Sequence, residues 1–197
     1  MKKFKIYSIL FIVFAIVPSA AQQDLLEKVQ DKFNSASTIT ADISQNTGNS
    51  ALKGKIFLKK ENKLRLEFKN ITIISDGFTI WNYNKKENKV IINNFDENTP
   101  SAFSFNKIIN KYPEMSDVSY AEGRKDVLLI KPDTNSGLNF QSVSLWVNNE
   151  NLVEKVRIEQ GGNPMEISVS NYSLNKEIPD SRFTFVPPQD SQVIDLR

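Results

Sequence analysis

Two periodicities alternate along this chain. Between Asp24 and Phe33, Leu25, Leu26, Val29 and Phe33 recur at helical spacing, while Glu27, Lys28, Asp31 and Lys32 fill the other side. That pattern predicts an amphipathic helix, ended by Asn34-Ser35-Ala36-Ser37. From Ile39 the period becomes two. Ile39, Ala41 and Ile43 alternate with polar residues, and so do Ile56 and Leu58, then Leu64, Leu66 and Phe68. Lys60 continues the Ile56 and Leu58 row. Glu61-Asn62-Lys63 reads as the turn between those last two strands. Asp76-Gly77 joins two further runs, Ile73–Ser75 and Phe78–Tyr83, as a tight hairpin. On the second run Thr79, Trp81 and Tyr83 share a face. Val90, Ile91 and Ile92 centre another strand.

Thr99-Pro100 interrupts the strands. Thr suits an N-cap and Pro the first helical position. Phe105, Ile108, Ile109 and Tyr112 then follow at i, i+3, i+4 and i+7, which predicts a second amphipathic helix. Strands resume at Val118 and Tyr120, Val127–Ile130, Val143–Val147, Val153–Ile158 and Met165–Val169. Gly123, Asn135–Gly137, Asn148–Asn151 and Gly161–Asn163 separate them. Near the end, Pro179–Arg182 suggests one helical turn and Phe183–Pro188 a last extended run. The expected fold is mainly β with α. About eleven antiparallel strands form one long sheet, with each helix laying its single apolar stripe across the sheet's apolar face. If such a sheet curls without closing, that face and the helices bound a pocket.

The first residues stand apart. Lys2, Lys3 and Lys5 precede an apolar run, Ile6–Val17. Pro18 breaks that run, and Ser19-Ala20-Ala21 offers small residues for cleavage. This is the pattern of a secretory signal peptide, too short for a bilayer span. The expectation is cleavage near Ala21 and a single exported domain over residues 22–197. Removing the three lysines leaves 22 of the 25 basic side chains against 23 acidic ones, so the basic excess belongs to the leader. No concentrated basic patch remains to suggest nucleic-acid binding. The absence of Cys excludes disulfides. The absence of His as well removes the usual zinc ligands and the commonest general base, so no metal or cofactor is expected. Paired carboxylates of the glycosidase kind could come from Asp76, Asp96, Glu97 or Asp126. Each of those sits in an expected turn or loop, outside any motif.

Several pieces resemble the periplasmic outer-membrane lipoprotein carrier family, the LolA type. They are Ile74-Ser75-Asp76-Gly77-Phe78-Thr79-Ile80-Trp81-Asn82-Tyr83, the helix opened by Thr99-Pro100, and Phe183-Thr184-Phe185-Val186-Pro187-Pro188-Gln189 with Val193-Ile194-Asp195 behind it. The layout of leader, short helix and Gly54-x-Ile56-x-Leu58 strand agrees as well. The resemblance implies an unclosed β half-barrel under a helical lid, with an apolar interior. It implies a non-enzymatic, monomeric periplasmic carrier of acylated lipoproteins. Such a carrier is loaded by an ATP-driven inner-membrane lipoprotein-releasing transporter and emptied at an outer-membrane acceptor.

On that reading the acyl-chain walls are Ile56, Leu58, Leu64, Leu66, Phe68, Trp81, Tyr83, Leu145, Val147, Ile158, Ile167 and Val169. The lid contributes Leu25, Val29, Phe33, Phe103, Phe105, Ile108 and Ile109. Where the family carries Arg-Pro, its arginine holding the lid closed, this chain has Lys60-Glu61. Lys60 is therefore the expected latch, without the planar fork of arginine. Gln189 is followed by Asp190 where the family tends to have Gly. Other readings are a lipid- or lipoprotein-sensing regulatory module on the same half-barrel and, less favoured, a secreted hydrolase.

Overall fold

The computed structural model describes residues 20–47, 50–95, 105–162 and 164–197. Residues 1–19 of the leader, Asp96, Glu97, Thr99-Pro100 and Phe103 lie outside them, while Ala20 and Ala21, before the expected cleavage point, fall in the first helix. Helix α1 (Ala20–Ser35) precedes β1 (Thr38–Thr47), β2 (Ser50–Lys59), β3 (Lys63–Phe68), β4 (Ile71–Asp76), β5 (Thr79–Asn84) and β6 (Lys89–Asn94). A π-helical stretch, Lys107–Lys111, runs into one helical turn, α2 (Tyr112–Glu114). Then come β7 (Ser116–Tyr120), β8 (Val127–Pro132), β9 (Ser142–Val147), β10 (Val153–Glu159) and β11 (Met165–Leu174). A 3-10 turn (Asp180–Phe183) and β12 (Gln192–Asp195) complete the chain.

All twelve strands form one sheet in the order β12-β6-β5-β4-β3-β2-β1-β11-β10-β9-β8-β7. Its edges, β12 and β7, do not pair, so the sheet is an unclosed half-barrel. Neighbours are antiparallel except β12, which returns parallel to β6 with Val193 opposite Val90. The count exceeds the expected eleven, and the extra strand is built from Gln192–Asp195. The anticipated last run, Phe183–Pro188, pairs with no strand.

Register fixes the two faces. Ile56 sits opposite Ala41 and Leu66, Leu58 opposite Ile39 and Leu64, and Gly54 opposite Ile43 and Phe68. Across β1 the row continues through Val169 and Ile167 to Val156, Leu145 and Leu128. This is the inner face. Against it lie Val29, Leu25, Leu26 and Phe33 of α1, with Phe105, Ile108, Ile109 and Tyr112 of the second helix. Gly54 is required there, because a Cβ would lie 2.6 Å from the Phe68 ring and 2.5 Å from the Glu67 carbonyl oxygen.

The outer face carries a second, smaller core. Trp81 pairs with Ile74 and Ile92, and Tyr83 with Val90. Over this row lies the C-terminal segment as a strap. Its Phe183 is fully buried, its Phe185 ring centres 5.4 Å from Tyr83, and Arg182 stacks 4.3 Å above Phe57.

Candidate functional site

The sheet's inner face and the helices bound a hollow. Beneath α1, where Val29, Phe33, Phe105 and Ile109 meet Ile56, Leu58 and Val169, packing leaves a gap of about 20 Å³. That is room for about one water. Tyr172 closes one side of it and donates its hydroxyl to the Val153 carbonyl at 2.6 Å. Burial pushes that phenol's pKa up, so the donor stays protonated. Beside the lid the space widens to about 960 Å³. Its apolar wall includes Phe33, Leu58, Leu64, Phe95, Tyr112 and Phe140, and Lys60–Lys63 and Ser136–Asn139 form part of its border. That volume reaches the upper end of the range for ligand pockets.

Polar bonds tie the lid helices to one another. Gln30 Nε2 donates to the Ile109 carbonyl at 3.0 Å. Asn34 and Asn110 exchange amide hydrogen bonds at 3.1 and 3.0 Å. In the π-helical stretch, Tyr112 N–H reaches back five residues to the Lys107 carbonyl. Even so, Phe105, Ile108, Ile109 and Tyr112 all stay buried.

The predicted wall residues divide into three groups. Leu58, Leu64 and Ile158 line the large hollow, and Ile56, Leu58 and Val169 the small gap. Leu66, Phe68, Leu145, Val147 and Ile167 face the same way but are filled core. Trp81 and Tyr83 do not belong to the set. Their row continues through Ile74 and Arg65 to Phe57, under the strap, so they face away from the hollow. The inward row of β5 is Ile80, Asn82 and Asn84. Hydropathy points the wrong way there because the strap, rather than the lid, buries the aromatic side of this strand.

Of the lid residues, Val29, Phe33, Phe105 and Ile109 line one or both spaces. Ile108 is buried, and Leu25 packs half-buried at the core's edge. Lys60 borders the hollow, but it is exposed and its ammonium makes no hydrogen bond among the described residues. Only its backbone N–H reaches across, to the Ser37 carbonyl at 3.4 Å. Among the described residues Lys60 forms no latch to the lid.

Sequence reasoning passed over Ile39, Phe95, Leu138, Phe140, Met165, Leu152 and Tyr172. Tyr112 carried a signal, since it completes the helical stripe. Phe140 carried none, being a lone aromatic in a polar loop that is placed by its ring contact with Tyr112 at 5.0 Å.

The two candidate catalytic acids that the structure describes have structural work. Asp76 accepts the N–H groups of Phe78 and Thr79, and Asp126 is gripped twice by Arg124 at 2.8 and 2.6 Å. Among the described residues no helix is long and apolar enough to cross a membrane.

Comparison with known proteins agrees with this geometry. Residues 34–186 match the family described as outer membrane lipoprotein carrier protein LolA. An outer-membrane lipoprotein carrier protein of Azotobacter vinelandii is 22% identical over 98% of this chain and 99% of its own length. An uncharacterized protein of Methanocaldococcus jannaschii is 26% identical over 98% of this chain, which spans 60% of that relative's length. Among solved structures, an uncharacterized conserved protein from Thermus thermophilus superposes with a TM-score of 0.58 at 12% identity. It covers 88% of this chain and 98% of its own. With more than half its length matched by the family pattern and a lidded half-barrel around an apolar hollow, the chain belongs to the LolA family.

Proposed function

We propose that this protein is a periplasmic carrier. It shields the acyl chains of lipoproteins in water and shuttles them from the inner to the outer membrane. The observation that carries the reading is the hollow of about 960 Å³ beside the lid, lined by Leu58, Leu64, Phe105 and Phe140. A lipid anchor gains about 0.8 kcal/mol per methylene buried in a bilayer. Acylated cargo therefore does not leave a membrane unaided, and an ATP-driven transporter must supply the extraction. The carrier need only cover the chains more favourably than water does and less favourably than the acceptor membrane. A hollow already open on one side suits that intermediate affinity. A closed, fully packed core would have to be torn open first.

Because the interior beneath α1 is filled down to a single small gap, loading must also move the lid. Long acyl chains then replace Phe33, Phe105 and Ile109 against the sheet. This exchange of one apolar surface for another costs little net hydrophobic free energy.

The test pairs an acylated lipoprotein with its unacylated form. The purified protein should form a soluble one-to-one complex with the first and none with the second. Equal binding of both removes the proposal. A sensing module would bind the acylated form but fail to deliver it to outer-membrane vesicles, so a transfer assay separates the two readings.

A further inference from the structure

We infer that Pro113 and Gln30 are positioning residues of the lid. The proline frees the Ile109 carbonyl from its own helix, and the glutamine of α1 takes that carbonyl, so the two lid helices are joined there and move as one cover. The starting observation is where the helical ladder fails. In an α-helix each carbonyl accepts the N–H four residues on. For Ile109 that residue is Pro113, which has no N–H. Its ring would also clash with the carbonyl four residues back. The chain avoids the clash by widening. Lys107–Lys111 is π-helical and the Tyr112 N–H bonds the Lys107 carbonyl. Pro113 then falls in the first turn of α2, where a missing N–H is tolerated.

The freed carbonyl is met from outside its helix. Gln30 Nε2 donates to it at 3.0 Å in a half-buried setting. Val29, the residue before Gln30, and Ile109 itself are buried and line the gap beneath α1. The bond therefore sits at the edge of the apolar contact that closes this gap. A carbonyl orphaned there would lose more than an average hydrogen bond supplies. The Asn34–Asn110 pair lies one turn further along α1 and is exposed, so water competes for its amides. The widened turn thus has a use. It presents a backbone acceptor to the neighbouring helix, where an unbroken α-helix would satisfy that acceptor internally.

The gap is lined from both helices, by Val29 and Phe33 on one and Phe105 and Ile109 on the other. A chain entering it either lifts the two together or parts them. With the join intact they lift together. The inference rests on the carrier reading only for that use, because the join is a property of the cargo-free protein.

Hydrogen exchange of the cargo-free protein tests it through a double-mutant cycle. Gln30→Ala should speed exchange of the α1 amides about tenfold, by loss of the bond and orphaning of the carbonyl, with the sheet's amides unchanged. Pro113→Ala gives the Ile109 carbonyl an N–H from its own helix, so α1 should exchange faster there too. Gln30→Ala added to Pro113→Ala should then change the α1 rate less than about twofold. An equal effect of Gln30→Ala in both backgrounds overturns the inference, and so does an unchanged α1 rate in Gln30→Ala. Gln30→Glu reads the same bond with the second helix unaltered. It is close in shape but has no donor when ionised, and wild-type exchange in it also overturns the inference. Binding of acylated lipoprotein is read separately. If it persists while the cycle is additive, the join falls and the carrier reading stands; a non-additive cycle without lipoprotein binding rejects the carrier alone.

Discussion

The half-barrel is covered on both faces, and the two covers are held by different forces. On the outer face the strap is fixed by directional bonds. Thr38 Oγ1 donates to the Lys176 carbonyl at 2.6 Å, and Lys59 Nζ to the Ile178 carbonyl at 3.1 Å. Lys59 and Lys63 grip Asp180 at 2.6 and 3.2 Å, and Arg65 reaches the Arg182 carbonyl at 3.2 Å. On the inner face the lid helices bond to each other through Gln30, Asn34 and Asn110, and meet the sheet through the apolar side chains of the core. Hydrophobic contact is non-directional. It lets one apolar surface be exchanged for another, whereas a set of aimed hydrogen bonds must break together. The strap is therefore the fixed cover and the lid the movable one.

The sharpest way to break that contrast is to loosen the strap. Among the described residues Phe183 is the largest fully buried side chain. Phe183→Ala should destabilise the protein by about 3–5 kcal/mol, read from denaturant unfolding. Protein still folded should bind acylated cargo with near wild-type affinity, because the hollow lies on the other face of the sheet. If cargo affinity instead falls in step with stability, the two covers are coupled and the contrast fails.

Much of this was legible in the chain. Alternation in β2 and β3 put Ile56, Leu58, Leu64 and Leu66 on the same side, and helical spacing gave the lid its inward stripe. What could not be read was which side of β5 the core would take. Trp81 and Tyr83 are the more apolar row of that strand, and they are half-buried, but beneath a segment about a hundred residues away. Period-two patterning identifies a row and is silent on what covers it. Phe183–Pro188 had the composition of a strand. Three prolines over the segment, Pro179, Pro187 and Pro188, remove ladder donors, and the chain instead packs side chains down onto strands already formed. The hollow itself is a property of how far the sheet curls and where loops such as Ser136–Phe140 fall, and no local period encodes that.

A smaller effect tests the strap's polar anchors through pH. The hydrogen bonds from Lys59 and then Lys63 hold the Asp180 carboxyl below its usual range. A carboxylate so depressed contributes stability that is complete above its unfolded pKa of about 3.9 and lost as pH falls through the folded value. Lys63, whose pKa is raised chiefly by Asp180, contributes in the opposite sense. Its part is complete below about 10.4 and lost as pH rises beyond it. Asp180→Asn should therefore melt lower than wild type at neutral pH. The gap should close on acidification below about pH 4, and narrow again in strong alkali. A gap that stays constant across that range would mean the ion pairs at this anchor contribute nothing.

The smallest effect probes the lid's internal clasp. Asn34 and Asn110 bond each other in an exposed setting, so Asn110→Ala should change global stability by no more than about 1 kcal/mol. Their importance is mechanical. If the clasp and the Gln30 bond make α1 and the 105–114 segment one body, amides in both should exchange with solvent at a common opening rate in wild type. That opening would be sub-global, below the free energy of unfolding the sheet. Asn110→Ala should split the rate in two, with α1 opening faster because it retains only the Gln30 bond to its neighbour. Two unequal rates already present in the wild type would show that the helices move separately. The polar bonds between them would then be incidental to how the hollow opens.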